Sequence, residues 1–354
     1  MNGTILLAGI LAHPAMLTAL DLTGQAEDLP GGLVGGARAG IDRDGWPRRV
    51  PGRGTSRAVR VRPNPALLRY AAVMGLEPQD GILGLGRGKA EGEAQPELAS
   101  AIARHILAAP ADQPADAVAA RLPAMGVVAA SELRGAREPC SGGALVAPRS
   151  PEDLQILDRH RGFEGFFSVE VCLIRHRTHD GGMTPALRRE VLVSGDAVVV
   201  LPWDPVRDRV LVIEQFRMAP VLRRDPQPWL LEAVAGRIDA GETIEEAARR
   251  EAREEADLNL SRLFPAIHHY PSPGILGEYL YLYVGIADLP DGTGGIHGLD
   301  SEAEDIRGHV IGRGELTRLA LSGQVVNGPL AMLALWLELR QDALRGQLEQ
   351  GGTG

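Results

Sequence analysis

The chain has 354 residues, of which 44% are hydrophobic and 23% charged. This is a globular composition, long enough for about two domains. The formal net charge of −9 excludes the broad basic surface that duplex nucleic acid requires. No run of about 20 apolar residues occurs, so the sequence predicts no membrane span. Cys140 and Cys172 lie far apart and form no CxxC pair, which indicates neither a zinc site nor a disulfide framework and favours a reducing cytoplasm.

The first elements are a strand and two helices. The apolar run "TILLAGIL", residues 4–11, predicts a buried strand and not a signal peptide, because no Lys or Arg precedes Arg38. After a long Gly- and Arg-rich stretch, apolar residues at helical spacing predict helices over 96–109 and 114–125. Gly, Pro, Ser and charged residues then interrupt the periodicity over 134–155. We place a domain boundary there, which gives a first domain over 1–145 and a second over 155–350.

The second domain is predicted to be rich in strands at its start. The segment 166–177 alternates, and the Val-rich segment 187–217 predicts two or three buried strands around the turn "DPVRD". A strong helix after Glu242, the strand "EYLYLYVGIA", a polar acidic segment and a final helix over 327–346 follow. This order predicts an α/β (α+β) fold, in which helices pack on a mixed sheet.

The helix after Glu242 carries an unusual concentration of acid. At about 100° per residue, Glu251, Glu254 and Glu255 fall on one arc of the helix, where their charges repel one another. Composition alone favours a solvated helix with Glu and Arg ion pairs. The shared arc favours a second interpretation, in which Mg²⁺ or Mn²⁺ relieves the repulsion and in turn binds substrate phosphates. Gly236 and Gly241 bracket the loop before the helix, so backbone can approach a ligand closely there.

These residues carry a family resemblance. Gly236, five residues, Glu242, seven residues and then Arg250-Glu251-x-x-Glu254-Glu255 resemble the Nudix box. The family pattern ends in Gly before an aliphatic residue, whereas this chain has Asp257 before Leu258, a departure that removes no expected ligand.

The resemblance implies a Nudix α/β/α sandwich with a mixed sheet and assigns roles within the box. Glu251, Glu254 and Glu255 bind Mg²⁺, with Mn²⁺ as the alternative, and the backbone carbonyl of Ala235 is a further ligand. Arg250 and Glu242 form the ion pair that fixes the loop. Gly236 and Glu242 are therefore structural.

Residues outside the box resemble the ADP-ribose pyrophosphatase branch of the family. "EQFRMAP" and "WLLEAVAG" supply Arg217, for a substrate phosphate, and Glu232, near the adenosine half. "PSPG" supplies Pro273 and Gly274, and Glu278 follows as a candidate for metal or ribose. The alternatives are that Pro273 only shapes a turn, that Arg217 is only a solvated surface arginine, and that Glu278 is only the polar first residue of an edge strand.

The acidic segment "GLDSEAEDIRGHVI", residues 298–311, resembles the loop that carries the general base of this branch. Glu304 is the best match and Glu302 the alternative. The implied reaction is Mg²⁺-dependent hydrolysis of ADP-ribose, a nucleoside diphosphate, to AMP and ribose 5-phosphate. Two alternatives stay open: hydrolysis of another nucleotide sugar or dinucleotide, and a non-catalytic ADP-ribose sensor. His268 and His269 are interpreted as strand or loop residues that are not paired with a catalytic nucleophile.

The resemblance also implies partners and a role for the first domain. Enzymes of this branch form homodimers, and residues 163–177 resemble the strand region of that contact. Residues 5–17 faintly resemble the opening of γ-glutamylcyclotransferase-like domains, which precede Nudix domains in some proteins linked to tellurite resistance. The polar residues of that opening are replaced here, so we expect a smaller mixed α/β domain, with a small β-barrel as one form, and a structural or interaction role.

Overall fold

The computed structural model describes residues 3–138, 143–299 and 304–351, so Cys140 and Glu302 lie outside the described residues. We call residues 3–138 the N-terminal segment and residues 143–351 the C-terminal segment. The helices and strands of the N-terminal segment are, in chain order, β1 (Ile5–Ala8), α1 (Pro14–Ala19), β2 (Gly24–Val34), β3 (Arg48–Val61), α2 (Pro65–Met74), β4 (Ile82–Leu83), α3 (Pro96–Ala108), α4 (Ala115–Ala119) and α5 (Leu122–Arg137).

The sheet of the N-terminal segment is open. Its strand order is β2-β3-β1-β4, with β1 antiparallel to β3 and parallel to β4. Within the described residues β4 is only two residues long and pairs with β1 alone, so it does not reach β2 and the sheet does not close. The expectation of a small β-barrel is therefore wrong.

The helices of the N-terminal segment differ in part from those predicted. The predicted helix over 96–109 is confirmed as α3. The predicted helix over 114–125 is wrong, because α4 ends at Ala119 and α5 starts at Leu122 and continues to Arg137. Pro123 lies in the first turn of α5, where its missing N–H leaves no intrahelical hydrogen bond unmade.

The C-terminal segment contains most of the strands. In chain order its elements are β5 (Leu154–Glu164), β6 (Ser168–His176), β7 (Leu187–Val193), β8 (Ala197–Asp204), β9 (Arg209–Phe216), α6 (Met218–Arg223), β10 (Trp229–Glu232), β11 (Val234–Arg237), α7 (Ile244–Ala256), β12 (Arg262–Pro265), β13 (Leu276–Gly277), β14 (Leu280–Ile286), β15 (Gly295–His297), β16 (Ile306–Gly312), α8 (Arg313–Leu321) and α9 (Gly328–Gly351). The predicted helix after Glu242 and the final helix are thus confirmed, and α8 is an addition.

A large mixed sheet lies at the centre of the C-terminal segment. Its strand order is β12-β14-β8-β9-β16-β15, with β10 paired to β9 and β11 paired to β8. Along β8, Val198 and Val200 pack in the cluster that includes α7, while Val199 and Leu201 pack in the cluster that includes α9. Successive strand residues point to opposite faces, and both faces of β8 are therefore buried between helices. This is the expected α/β/α sandwich.

A second sheet lies beside the sandwich, in the order β13-β7-β6-β5. β5 is at its edge and pairs only with β6 among the described strands. In the part of the chain that the structure describes, no helix has the combined length and apolarity needed to cross a membrane.

Candidate functional site

Helix α7 is fixed at both ends by its own side chains and turns. Thr243 caps the start: its hydroxyl accepts the backbone N–H of Glu246, and the Glu246 carboxylate accepts the N–H of Thr243 at 2.9 Å. The helix ends at Asp257, whose φ of +51° lies in the left-handed region. A non-glycine residue there costs about 1 kcal/mol. Asp257 thus makes the helix-ending turn that glycine makes in the family pattern, and the departure leaves the turn in place.

Small residues let α7 lie close to the central sheet. Ala247, Ala248 and Ala252 are fully buried against it. The close packing also buries two of the acidic residues, since Glu251 is 9% exposed and Glu255 is 3% exposed. Gly236 on β11 makes room for one of them, because a Cβ atom there would overlap the Glu251 carboxylate.

Arg250 joins the acidic residues of the predicted motif into one network. Its Nε and Nη2 donate to the two carboxylate oxygens of Glu242 at 3.0 and 2.9 Å. Nη1 donates to Glu251 at 2.6 Å and to Glu254 at 3.0 Å. Nη2 also donates to the carbonyl of Arg237 at 2.9 Å. The ion pair between Arg250 and Glu242 is thus present, and Arg250 contacts two of the predicted metal ligands as well.

The buried carboxylates bind protons tightly in the absence of a cation. Burial raises the pKa of Glu251 to about 7, and the charges of Glu254 and Glu304 add to the effect. Burial raises the pKa of Glu255 to about 9, although the N–H of Ala235 donates to its carboxylate at 2.9 Å and opposes the rise. A divalent cation that displaces these protons neutralises two buried carboxylates. Its binding is therefore more favourable here than at exposed carboxylates.

The residues of this site fit a divalent cation by their chemistry. Glu251, Glu254 and Glu255 offer carboxylate oxygens, the ligands that Mg²⁺ and Mn²⁺ prefer, and Gly236 leaves open the space beside Glu251. Among the described residues, no three His, Cys, Asp or Glu side chains are already gathered around a common point as in a finished metal site. The guanidinium of Arg250, which lies between Glu251 and Glu254, is the positive charge that balances them here.

Arg217, directly after β9, pairs with Glu232 of the neighbouring strand β10. Nε and Nη2 of Arg217 donate to the two oxygens of Glu232 at 3.0 and 2.9 Å. Burial is the largest single effect and would lower the pKa of Arg217, but the hydrogen bonds and charge of Glu232, together with the charges of Glu255 and Glu304, outweigh it and raise that pKa. Glu232 is 6% exposed, so the pair is anchored on its carboxylate side. Glu232 lies opposite Ile213, which packs in the cluster that includes α7, so the carboxylate that binds Arg217 is on the α7 side of the sheet.

Glu304 lies at the start of the segment that leads into β16. Its N–H donates to the carbonyl of Leu299 at 3.3 Å. Its charge raises the pKa of Glu251, of Glu255 and of Arg217, so its carboxylate is near enough to act on all three. The structure thus gathers the predicted base with the predicted metal ligands, while the alternative, Glu302, lies outside the described residues.

Other predicted substrate residues lie along a different loop. Pro273 and Gly274 form an exposed turn before β13, and this turn is tied to β7 because Leu192 donates its N–H to the carbonyl of Ile275 at 2.9 Å. Glu278 accepts the hydroxyl of Ser194 at 3.2 Å, and burial raises its pKa.

His268 accepts the N–H of Leu282 at 3.1 Å, and His269 forms an isolated bridge with Leu280. Both histidines are thus loop residues beside a strand, as interpreted from the sequence.

Sequence reasoning missed residues whose role depends on distant contacts. Ser194 contacts Glu278, which is far away along the chain. The guanidinium of Arg237 lies 4.3 Å from the ring centre of Phe166 and 5.1 Å from that of Phe167. No local pattern marks these residues, because each partner comes from a separate strand or loop.

Comparisons with known proteins agree with the residues gathered here. A family model described as "NUDIX domain" matches residues 193–320. The chain is 42% identical over 195 residues to an ADP-ribose pyrophosphatase of Escherichia coli (strain K12), an alignment that covers 55% of this chain and 92% of that protein. It is 34% identical over 198 residues to an ADP-ribose pyrophosphatase of Haemophilus influenzae, covering 55% of this chain and 91% of that protein.

A more distant relative carries a different name. The chain is 28% identical over 177 residues to a GDP-mannose pyrophosphatase of Cronobacter sakazakii, an alignment that covers 49% of this chain and 91% of that protein. All three relatives are matched along almost their whole length, whereas nearly half of this chain has no counterpart in them.

The raised pKa of Glu255 predicts how stability depends on pH without metal. The folded chain holds this proton more tightly than the unfolded chain, whose value is 4.5. Its stabilising contribution is therefore full below pH 4.5 and is lost as the pH rises through about 9. In EDTA, we expect the free energy of unfolding of the wild type to fall relative to that of Glu255→Gln by more than about 1 kcal/mol between about pH 6 and about pH 9.5.

Urea unfolding at a series of pH values measures this difference. Glu245→Gln, at an exposed position of the same helix, is the matched control and should track the wild type. A constant difference between the wild type and Glu255→Gln across this range would contradict the assignment of a buried, proton-binding Glu255.

Proposed function

This chain belongs to the Nudix family, and from that premise we propose that it hydrolyses the pyrophosphate bond of ADP-ribose, giving AMP and ribose 5-phosphate. One observation carries the proposal: a chain 42% identical to an ADP-ribose pyrophosphatase has three acidic residues on one arc of α7, two of them buried against the sheet. A non-catalytic sensor would not need Glu251, Glu254 and Glu255 together. Their retention favours an enzyme.

The carboxylates of α7 and the carbonyl of Ala235 are the groups that would hold Mg²⁺, or Mn²⁺ in its place. When bound, the cation supplies charge neutralisation and polarisation of the pyrophosphate. Arg250 holds Glu251 and Glu254 and anchors itself on Glu242. The N–H of Ala235 orients Glu255. The chain thus fixes the positions of these carboxylates through hydrogen-bond donors on one arginine and one strand.

We assign the general base to Glu304. Its carboxylate takes a proton from water, the water oxygen forms a bond to one phosphorus, and the bond from that phosphorus to the bridging oxygen breaks. The leaving phosphate carries away the electron pair of the broken bond. Support comes from the effect of the Glu304 charge on the pKa values of Arg217, Glu251 and Glu255, which requires it to lie near them. General-base catalysis requires such a position near the reacting atoms.

Arg217 is proposed to bind a substrate phosphate, with Glu232 near the adenosine half. The two planar hydrogen bonds to Glu232 hold the guanidinium in one orientation, which suits an arginine that must present its remaining N–H groups to an anion. Pro273, Gly274 and Glu278 are proposed to contact the other half of the substrate. Their loop leads into β13 of the second sheet, which is followed along the chain by β14 of the central sheet.

We propose that residues 155–350 form the Nudix hydrolase domain and that residues 1–145 form a γ-glutamylcyclotransferase-like domain without catalytic activity. The family model match at 193–320 falls inside the first of these ranges. We also propose that the enzyme works in the cytoplasm, which agrees with a free thiol at Cys172.

The enzyme is proposed to act as a homodimer that joins through β5. This strand is exposed along almost its whole length and presents large apolar side chains: Leu154, Ile156, Leu157 and Phe163. Its outer edge has no strand partner among the described residues. A long, apolar, unpaired edge strand is unfavourable in water, and a second copy of β5 would cover it.

A panel of Mg²⁺-dependent hydrolyses with identified products tests the function. We expect ADP-ribose to be the best substrate among ADP-ribose, NADH, diadenosine polyphosphates and GDP-mannose, because two relatives, 42% and 34% identical, are named for ADP-ribose. GDP-mannose as the best substrate would move the enzyme to the nucleotide-sugar alternative. Tight ADP-ribose binding without any hydrolysis would identify a sensor and contradict the proposal.

Replacing Glu254 or Glu255 by Gln tests the metal ligands. Each change removes a charge that the cation needs, so we expect kcat to fall by at least about 100-fold with the fold intact. Glu245→Gln is the matched control, since Glu245 lies exposed on the same helix, and it should keep full activity. Unchanged hydrolysis in Glu255→Gln would refute the metal assignment.

The choice between Glu304 and Glu302 is tested by one pair of variants. If Glu304 is the base, Glu304→Gln should lower kcat by about 100-fold or more with little change in KM, whereas Glu302→Gln should stay near the wild type. The steady-state constants for ADP-ribose measure both effects. The opposite result would assign the base to Glu302.

Light scattering coupled to size-exclusion chromatography tests the dimer. We expect twice the mass of the chain for the wild type and the mass of one chain for Ile156→Asp, which places a charge in the apolar strand. Leu145→Asp, at a fully exposed position outside β5, is the control and should remain dimeric. A monomeric wild type at micromolar concentration would rule out the dimer.

A further inference from the structure

The loop that leads into α7 packs inside the N-terminal segment. Ala240 is 7% exposed and belongs to the same apolar cluster as Ile102 of α3 and Met125 of α5. This cluster is the core of the N-terminal segment. The loop before α7 therefore packs against side chains that lie more than a hundred residues earlier in the chain.

Gly126 sets the distance between α5 and this loop. A Cβ atom added to Gly126 would lie 2.7 Å from the Cβ of Ala240, closer than two carbons can pack. Glycine inside a helix destabilises it by about 0.5–1 kcal/mol relative to alanine. On the same helix, a Cβ atom added to Gly135 would meet nothing within 4 Å. Of these two positions, only 126 has a neighbour so close that it leaves no room for a side chain.

The second half of α5 holds the other end of the loop. Ser131 donates to the Asp196 carboxylate at 2.6 Å, and Arg134 donates to it at 2.8 Å. Asp196 is 3% exposed, and its carbonyl accepts the N–H of Ile238 at 3.2 Å. One helix of the N-terminal segment thus contacts the loop directly at Ala240 and, through Asp196, at Ile238.

Two more side chains of the N-terminal segment bind the loop carbonyls. Arg38 donates to the carbonyl of Ala240 at 3.2 Å, and Gln95 donates to that of Gly241 at 3.4 Å. The next residue is Glu242, which binds Arg250 through both oxygens. Arg250 in turn binds Glu251 and Glu254. A shift of the loop would therefore move the arginine that orients two of the proposed metal ligands.

We propose that α5 is a positioning element of the metal site, which it holds in place through the loop 238–242. The proposal rests on the proposed function only in that Glu251 and Glu254 are taken to bind the cation. Gly126 contacts the loop directly, and Ser131 and Arg134 act on it through Asp196, so all three are positioning residues. The N-terminal segment then has a definite task in this chain.

The test compares Gly126→Ala with Gly135→Ala in the full chain. Both changes add the same methyl group to the same helix and gain the same helix propensity, so their difference reports the contact with Ala240. The probe is Mn²⁺ alone, whose binding is followed by electron paramagnetic resonance of the free ion without substrate. We expect Gly126→Ala to weaken Mn²⁺ binding about threefold or more and to lower kcat for ADP-ribose about tenfold, with KM changed less than about twofold. Gly135→Ala should match the wild type in all three.

A rescue variant separates local positioning from general damage. Adding Ala240→Gly to Gly126→Ala removes the opposing methyl group, and we expect Mn²⁺ affinity to return to within about twofold of the wild type. If Gly126→Ala does not fold, as judged by thermal unfolding, Arg38→Ala removes one hydrogen bond to the loop and is compared with Arg104→Ala at an exposed position. Arg38→Ala should then weaken Mn²⁺ binding about twofold, and Arg104→Ala should not.

The outcomes test the positioning role of α5 and the proposed function independently. Equal Mn²⁺ binding in folded Gly126→Ala and Gly135→Ala would overturn the positioning role. A wild type that binds Mn²⁺ but does not hydrolyse ADP-ribose would overturn the proposed function, and the Mn²⁺ measurements would still judge the role of α5.

Discussion

Three carboxylates on one side of a short helix repel one another, and packing two of them against a sheet increases that repulsion, because burial removes the water that would screen it. The guanidinium of Arg250 is the interaction that makes this arrangement tolerable, since it binds Glu242, Glu251 and Glu254 at once. Arginine can do this because its donors point in several fixed directions within one plane. A single side chain therefore fixes the positions of the loop, of the helix and of the proposed metal ligands.

The same arrangement explains why β11 has its particular composition. Gly236 leaves space for the Glu251 carboxylate, and the N–H of Ala235 binds Glu255. A strand with a larger residue at 236 would push α7 away from the sheet and expose the carboxylates to water. Glycine at this position is thus a requirement of close approach, and the acidity of the helix and the small size of the strand residue depend on each other.

The sequence was most informative where one short stretch contains all the interacting residues. Residues 236–255 place the carboxylates on one arc, and the Val-rich run of β8 predicts a strand buried on both faces, because these patterns are local. The long pair β2 and β3 was not predicted, since both strands are largely exposed and lack an apolar alternation. The break between α4 and α5 was missed because Pro123 is compatible with the first turn of a helix as well as with its end. The burial of Glu255, the bonds from Arg250 to Glu251 and the seat of Ala240 all depend on contacts between distant parts of the chain, which no local pattern carries.

The seat of Ala240 has a consequence for how this protein can be handled. A fragment cut between the two segments would leave Asp196 without Ser131 and Arg134, and would turn Ala240 from the interior of an apolar cluster out to solvent. The polar and apolar groups at the boundary therefore have their partners only when both segments are present, although each segment has its own sheet. Melting of either half should draw the other with it, so the chain loses its structure as a single cooperative unit.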